Sequence, residues 1–128
     1  MSGRNKVARI LVALGCLVLF AGAALHSAAA YPRVSPALSV SNLSAPLQGA
    51  FRTVFLLVGW HWVVIAVVVL LAAFTQTKLR KTLVLFCGLA VLLDAALMLA
   101  LIGVFLGDEM MGSAAVLMIC GGLLFQNT

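Results

Sequence analysis

Four long apolar runs dominate the chain, and they constrain its fold more than any motif does. A helix needs about 20 mainly apolar residues to cross a hydrocarbon core of roughly 30 Å, because each helical residue rises ~1.5 Å. The runs that qualify cover about residues 10–30, 54–74, 82–106 and 110–125. The fourth run has 16 residues, which reach only about 24 Å, so its spanning requires a thinned bilayer or help from flanking residues.

The composition agrees with a membrane location. Of 128 residues, 65% are hydrophobic and 9% are charged, and the mean hydropathy is +1.24. A soluble domain is about half apolar and about a quarter charged. We therefore expect an all-α polytopic membrane protein, with a single membrane domain over residues 1–128 that folds as an antiparallel four-helix transmembrane bundle in the lipid bilayer.

The first run has a second interpretation. A basic start and the sequence "SAAAYP" at residues 27–32 resemble a signal peptide with a small-residue cleavage site. A signal core has about 7–15 apolar residues, and this run is longer. We expect a retained helix, with cleavage near Ala30 as the alternative.

The charges are distributed unequally between the ends of the spans. Only Arg33 and Arg52 lie on the side that also carries Asp108 and Glu109. This asymmetry predicts an inner-membrane protein, bacterial in our interpretation, with both termini in the cytoplasm. Anionic lipid headgroups account for the net positive charge, so we expect no nucleic-acid partner. The six basic residues on the other side are Arg4, Lys6, Arg9, Lys78, Arg80 and Lys81.

Residues 31–53 form the one sizeable segment outside the spans. Pro32, Pro36 and Pro46 are expected to break any long helix here, which predicts an extracytoplasmic loop. Ser44 is placed to cap the second spanning helix, with Pro46 tolerated in the first turn. The other connections, "TQTKLRK" and "GDEMMG", are short, so consecutive helices should be antiparallel neighbours.

Small residues recur at intervals of seven on the first and fourth helices. In lipid, helices associate through close packing of small residues on facing stripes. The pairs are Gly15 with Gly22, Ala114 with Gly121, and Ala115 with Gly122. The three cysteines lie inside spans without metal-site spacing, so we interpret them as packing residues and expect neither a metal nor a cofactor.

Three ionisable residues, His26, His61 and Asp94, fall inside the proposed spans. Counted from the span centres, they lie near 9, 5 and 0 Å from the midplane, on the outer side, at ~1.5 Å per residue. An intramembrane carboxyl is costly and normally faces the bundle interior with a partner. No Lys or Arg is available at this depth. The candidate partners of Asp94 are therefore the histidines and backbone carbonyls, or else a bound proton neutralises the carboxyl.

These residues predict a site that opens outward. Asp94, His61 and His26 are its candidate acid–base groups, and four apolar side chains are candidate walls for a lipophilic ligand. Such a site suits isomerisation, cyclisation or epoxide opening. The candidate walls are Trp60, Trp62, Phe55 and Met98.

Other interpretations remain open. The same ionisable residues could relay protons in a small transporter. They could act as interhelical contacts in a homo-oligomer or in an accessory subunit of a membrane complex. Haem ligation by the two histidines is the least favoured, because they differ in depth by roughly 4 to 5 Å on straight helices.

Overall fold

The computed structural model describes residues 3–75 and 78–126. Five α-helices and one π-helical segment account for nearly all of them. They are α1 (Gly3–Ala24), the π segment (Leu25–Ala30), α2 (Tyr31–Ser39), α3 (Ala45–Phe74), α4 (Arg80–Ile102) and α5 (Leu106–Leu124).

The all-α expectation is confirmed in the described ranges. Four helical stretches there are long and apolar enough to cross a membrane: Gly3–Ser39, Ala45–Phe74, Arg80–Ile102 and Leu106–Leu124. Because consecutive spans run in opposite directions, the bundle has two distinct ends. We call the end with residues 31–53 and 103–107 the loop end, and the end with Arg9 and Arg80 the basic end.

The four spans pack in the cyclic order α1, α5, α4, α3. The α1–α5 and α4–α5 contacts are the most extensive, α1–α3 is smaller, and α3–α4 is the smallest. The core is therefore concentrated around α1 and α5, where Val12, Cys16, Ala114 and Met118 are fully buried. The α3–α4 side forms a comparatively open seam.

Glycine makes the close approach of α1 and α5 possible. A Cβ built on Gly121 would lie 2.6 Å from Val12 Cγ2 and 2.9 Å from the Ala8 carbonyl oxygen. A Cβ on Gly15 would lie 2.9 Å from the Ala114 carbonyl oxygen. The predicted Gly15 stripe of α1 thus packs on the predicted Ala114–Gly121 stripe of α5, as expected where lipid supplies no hydrophobic drive between helices. Gly122 instead faces Leu85 and Val84 of α4.

The expectation that prolines break the chain after residue 30 is wrong for Pro32 and Pro36. The first span continues through the π segment into α2, with Pro32 in the first turn of α2 and Pro36 inside it. The Tyr31 N–H bonds to the His26 carbonyl, five residues back. This widened turn directly precedes Pro32, where a proline ring would otherwise crowd the preceding turn. Much of segment 31–53 is therefore helical.

The start of α3 follows the expectation more closely. Ser44 occupies the N-cap position in an extended conformation, and a proline lies in the first helical turn, although no side-chain capping bond forms. α2 is held against α3 by Arg52, whose Nη2 donates to the Ser35 carbonyl oxygen at 3.3 Å and to the Ser39 hydroxyl.

The "GDEMMG" stretch, expected as a connection, belongs to α5. The turn is instead at Gly103–Phe105, where Gly103 has φ +95°, a conformation that ends α4 and favours glycine. Asp108 and Glu109 lie in the first turn of α5, where acidic side chains are favourable. With 19 residues, α5 is about 28 Å long. The fourth span thus needs less bilayer thinning than the sequence suggested.

At the basic end, polar contacts fasten the chain after α5 to α1 and α4. Arg80 is only 7% exposed, lies over the Phe125 ring at 4.5 Å, and donates to the Gln126 carbonyl oxygen at 3.3 Å. The Gln126 N–H donates to Asn5 Oδ1 at 3.1 Å.

Candidate functional site

The structure brings His61 and Asp94 together across the α3–α4 seam. His61 Nε2 lies 3.5 Å from Asp94 Oδ2. The two side chains are 55% and 36% exposed, so the pair lies at the open margin of the bundle rather than in its interior. The side chains around the pair are otherwise apolar.

A groove of about 400 Å³ surrounds the pair, and we call it the His–Asp groove. It is a lateral opening between α3 and α4, and His61 and Asp94 are its only ionisable lining groups among the residues that the structure describes. Apart from Trp62, no described residue of α3 or α4 lines the groove on the basic-end side of the pair. The apolar walls are Val54, Leu57, Val58, Trp62, Leu97, Met98 and Met111.

Helical periodicity explains these walls. Val54, Leu57 and Val58 precede His61 by seven, four and three residues, so they share its face of α3. Leu97 and Met98 follow Asp94 by three and four residues on α4 in the same way. Sequence reasoning named Met98 but missed Val54, Leu57, Val58 and Leu97, although this spacing could have found them.

Asp94 lies beside the packing stripe of α4, not on it. The buried stripe is Val84, Gly88, Val91 and Ala95. The neighbouring stripe with Asp94 and Met98 is half-buried, whereas the sequence analysis expected the carboxyl to face the bundle interior. The physical reason is that α4 packs chiefly against α5, and Gly88 meets Ile119 there. The carboxyl is thereby turned toward the loosely packed α3.

The structure places His26 apart from this pair. It belongs to the π segment, and its Nε2 donates to the Phe55 carbonyl oxygen at 2.7 Å. Its ring stacks on Phe55 with centroids 3.9 Å apart, and Trp62 approaches edge-on at 5.2 Å. His26 thus ties the first span to α3, and Phe55 supports His26 instead of lining the His–Asp groove.

The two tryptophans flanking His61 have different environments. Trp62 is 3% exposed and lines both the His–Asp groove and a second groove beside His26. Trp60 is 63% exposed and borders a shallow groove between α1 and α3. Of the predicted wall residues, Trp62 and Met98 therefore lie at the His61–Asp94 pair, and Trp60 and Phe55 do not.

The pair has spare hydrogen-bonding capacity. A carboxylate offers about four acceptor positions, and an imidazole has one nitrogen on each side of its ring. Among the described residues, His61 and Asp94 have one another as polar partners. In an apolar surrounding, unsatisfied polar groups are costly, so the open positions favour a polar group delivered by another molecule.

No protein-family model, curated protein or solved structure matches this chain. Among residues 3–75 and 78–126, no group of three or more His, Cys, Asp or Glu side chains is arranged to hold a metal ion.

Proposed function

We propose that this protein binds a lipophilic small molecule in the His–Asp groove, with a polar group of that molecule hydrogen-bonded to His61 and Asp94. The observation that carries the proposal is the half-exposed pair in an otherwise apolar groove of about 400 Å³. Binding sites for small molecules combine this kind of apolar lining with a few placed polar groups.

The ligand enters from the membrane plane. The groove opens sideways between α3 and α4, and its lining on α3 runs from Val54, nearer the loop end, to Trp62. A molecule dissolved among the acyl chains reaches it without crossing the bundle. Its polar group then supplies the hydrogen bonds that His61 and Asp94 lack in hydrocarbon, which favours the bound state.

The pair also supports acid–base chemistry on the ligand. A carboxyl and an imidazole 3.5 Å apart can together donate and accept a proton at one polar centre. Isomerisation, cyclisation and epoxide opening are the reaction classes that such a centre can serve.

For the cellular setting we infer an inner membrane, bacterial by our reading of the sequence, with both termini in the cytoplasm. Six of the eight Lys and Arg residues flank the basic end, and this imbalance supports that orientation. The loop end and the His–Asp groove then belong to the outer half of the bilayer.

The proposal is tested by mass spectrometry of lipophilic molecules that co-purify in mild detergent. Wild type and Asp94→Asn are compared, because asparagine keeps the shape of aspartate and removes its charge and proton exchange. Asp108→Asn is the matched control, since Asp108 lies in the first turn of α5 and borders a different groove. We expect a discrete molecule with wild type and Asp108→Asn that is depleted at least tenfold with Asp94→Asn. Identical cargo in all three proteins would contradict the proposal.

A second candidate is assembly with another membrane helix, in a homo-oligomer or a larger complex. The exposure of His61 and Asp94 favours it, because a polar residue on a partner helix would satisfy the same open positions. Oligomer mass measured in lipid nanodiscs separates the two. Assembly predicts that Asp94→Asn lowers the oligomer mass, and ligand binding predicts that the mass stays unchanged.

Transport through the bundle has less support. The lining of the His–Asp groove stops at the depth of the pair, and Val69, Ala73 and Val84 are buried between it and the basic end. We therefore prefer binding from the bilayer to passage across it.

A further inference from the structure

We infer a second binding site, separate from the His61–Asp94 pair, for a phospholipid with an anionic headgroup. The site is a groove of about 380 Å³ at the loop end, between the first span and the start of α5. We call it the Arg33 groove. Its lining includes Gly22, His26, Arg33, Trp62, Gly107 and Met110.

Charge complementarity points to an anion. Arg33 is the one permanently charged side chain among the lining residues of the groove. It is exposed, and no hydrogen bond or ion pair joins it to another described residue. The nearby Asp108 and Glu109 border the opposite groove, between α4 and α5. The guanidinium is thus free to form a bidentate contact with a phosphate.

The remaining lining suits an acyl chain. From Arg33 the groove descends along the first span to Gly22, a distance of about 16 Å at ~1.5 Å per residue. A Cβ on Gly22 would meet nothing closer than 3.9 Å, so the glycine keeps this floor open beside Trp62. A phospholipid has this form, with a phosphate at the interface and a chain below it. Its source is the surrounding bilayer.

The position of Arg33 fits the headgroup level. It lies on α2, beyond the hydrophobic first run, at the end where the chain turns back into α3. Arginine there can reach the phosphate layer while its stem covers apolar surface. A chain lying in the groove would contact the indole of Trp62, which gives the site a fluorescent reporter.

The test uses the full chain in phosphatidylcholine vesicles, in a Trp60→Phe background that leaves Trp62 as the single tryptophan. Trp60 is 63% exposed, so this change should not disturb folding. Trp62 fluorescence is titrated with phosphatidylglycerol brominated on its chains and, separately, with phosphatidylcholine brominated in the same way. Bromine quenches only when a chain lies against the indole.

We expect phosphatidylglycerol to quench at a mole fraction about fivefold lower than phosphatidylcholine, the effect of one basic residue on an anionic lipid. Arg33→Gln should remove this preference. Arg52→Gln, which removes the same charge from the same end, should retain it, because Arg52 bonds to Ser35 and Ser39 instead of lining the groove.

The outcomes separate this site from the proposed ligand site. Asp94→Asn should retain the preference for phosphatidylglycerol, since Asp94 lines the His–Asp groove and not the Arg33 groove. Equal quenching by both lipids in the Trp60→Phe protein would overturn the inference. So would a preference that survives Arg33→Gln, or one that is lost in Asp94→Asn.

Discussion

Replacing Gly121 by alanine tests the packing that holds α1 against α5. The added Cβ would lie 2.6 Å from Val12 Cγ2, 2.9 Å from the Ala8 carbonyl oxygen and 3.2 Å from the Val12 amide nitrogen. Carbon atoms normally pack at about 3.5–4.0 Å. Two of the three neighbours are backbone atoms, so a side-chain rotation cannot relieve the overlap and α1 must move away.

The cost follows from that displacement. Overpacking a close interface costs about 1–3 kcal/mol. Both the overlap and the loss of neighbouring contacts contribute, since a gap of about 0.5–1 Å forfeits a quarter to a half of each dispersion contact. Gly112→Ala is the matched control on the same helix, because a Cβ there meets nothing within 4 Å. Both changes alter helix propensity equally, so their difference reports the steric cost.

The assay is the reaction of Cys16 with a thiol-reactive dye during heating in detergent, with Cys87 and Cys120 replaced by serine. Cys16 is fully buried and reacts when the bundle opens. We expect Gly121→Ala to lower the apparent melting temperature by several degrees relative to Gly112→Ala. Equal melting temperatures would refute the argument that backbone contact at Gly121 sets the helix spacing.

Three further predictions concern the loop and basic ends. Gly59→Ala places a Cβ 2.8 Å from Ser27 Oγ and 3.3 Å from His26 Cδ2, so it should push the His26 ring away from its bond to the Phe55 carbonyl oxygen. Hydrogen exchange of the His26 ring N–H, measured by NMR, should then be faster than in wild type. It should be unchanged in Gly49→Ala, whose Cβ meets nothing within 4 Å. Gly103→Ala should destabilise the protein by about 1–3 kcal/mol in thermal unfolding, because φ +95° with ψ −175° is accessible almost only to glycine; an unchanged stability would contradict this. Arg80→Gln should lower the free energy of unfolding by about 1.5 kcal/mol in thermal unfolding, since the bond to the Gln126 carbonyl oxygen is lost; an unchanged free energy of unfolding would contradict it.

The spans and their neighbours were predictable because membrane insertion depends on local properties. Apolar length predicts spanning helices, and short connections predict antiparallel pairs. The end of α4 was less clear, because apolar residues continue to Leu106 while Gly103 ends the helix by its backbone conformation. The helix break predicted at Pro32 was wrong, because a π-helical turn before this proline lets the helix continue.

The proximity of His61 and Asp94 was predictable from shared depth, but their exposure was not. Depth depends on position along each span, which the sequence carries. Exposure depends on which neighbour α4 packs against, and α4 packs chiefly against α5, where Gly88 meets Ile119. His26 lies in a π segment that no residue pattern predicted, and its Nε2 donates to the Phe55 carbonyl oxygen instead of reaching the pair.

Photo-crosslinking in native membranes tests the central claim most directly. A photoreactive amino acid is introduced at Leu97, which lines the His–Asp groove, or at Leu93, which is 60% exposed and does not line it. After irradiation, the intact protein is weighed by mass spectrometry. The account predicts one discrete small-molecule adduct at Leu97 that disappears in Asp94→Asn, and only bulk lipid adducts at Leu93. The same bulk lipid adducts at both positions, unchanged by Asp94→Asn, would contradict a binding site at the seam.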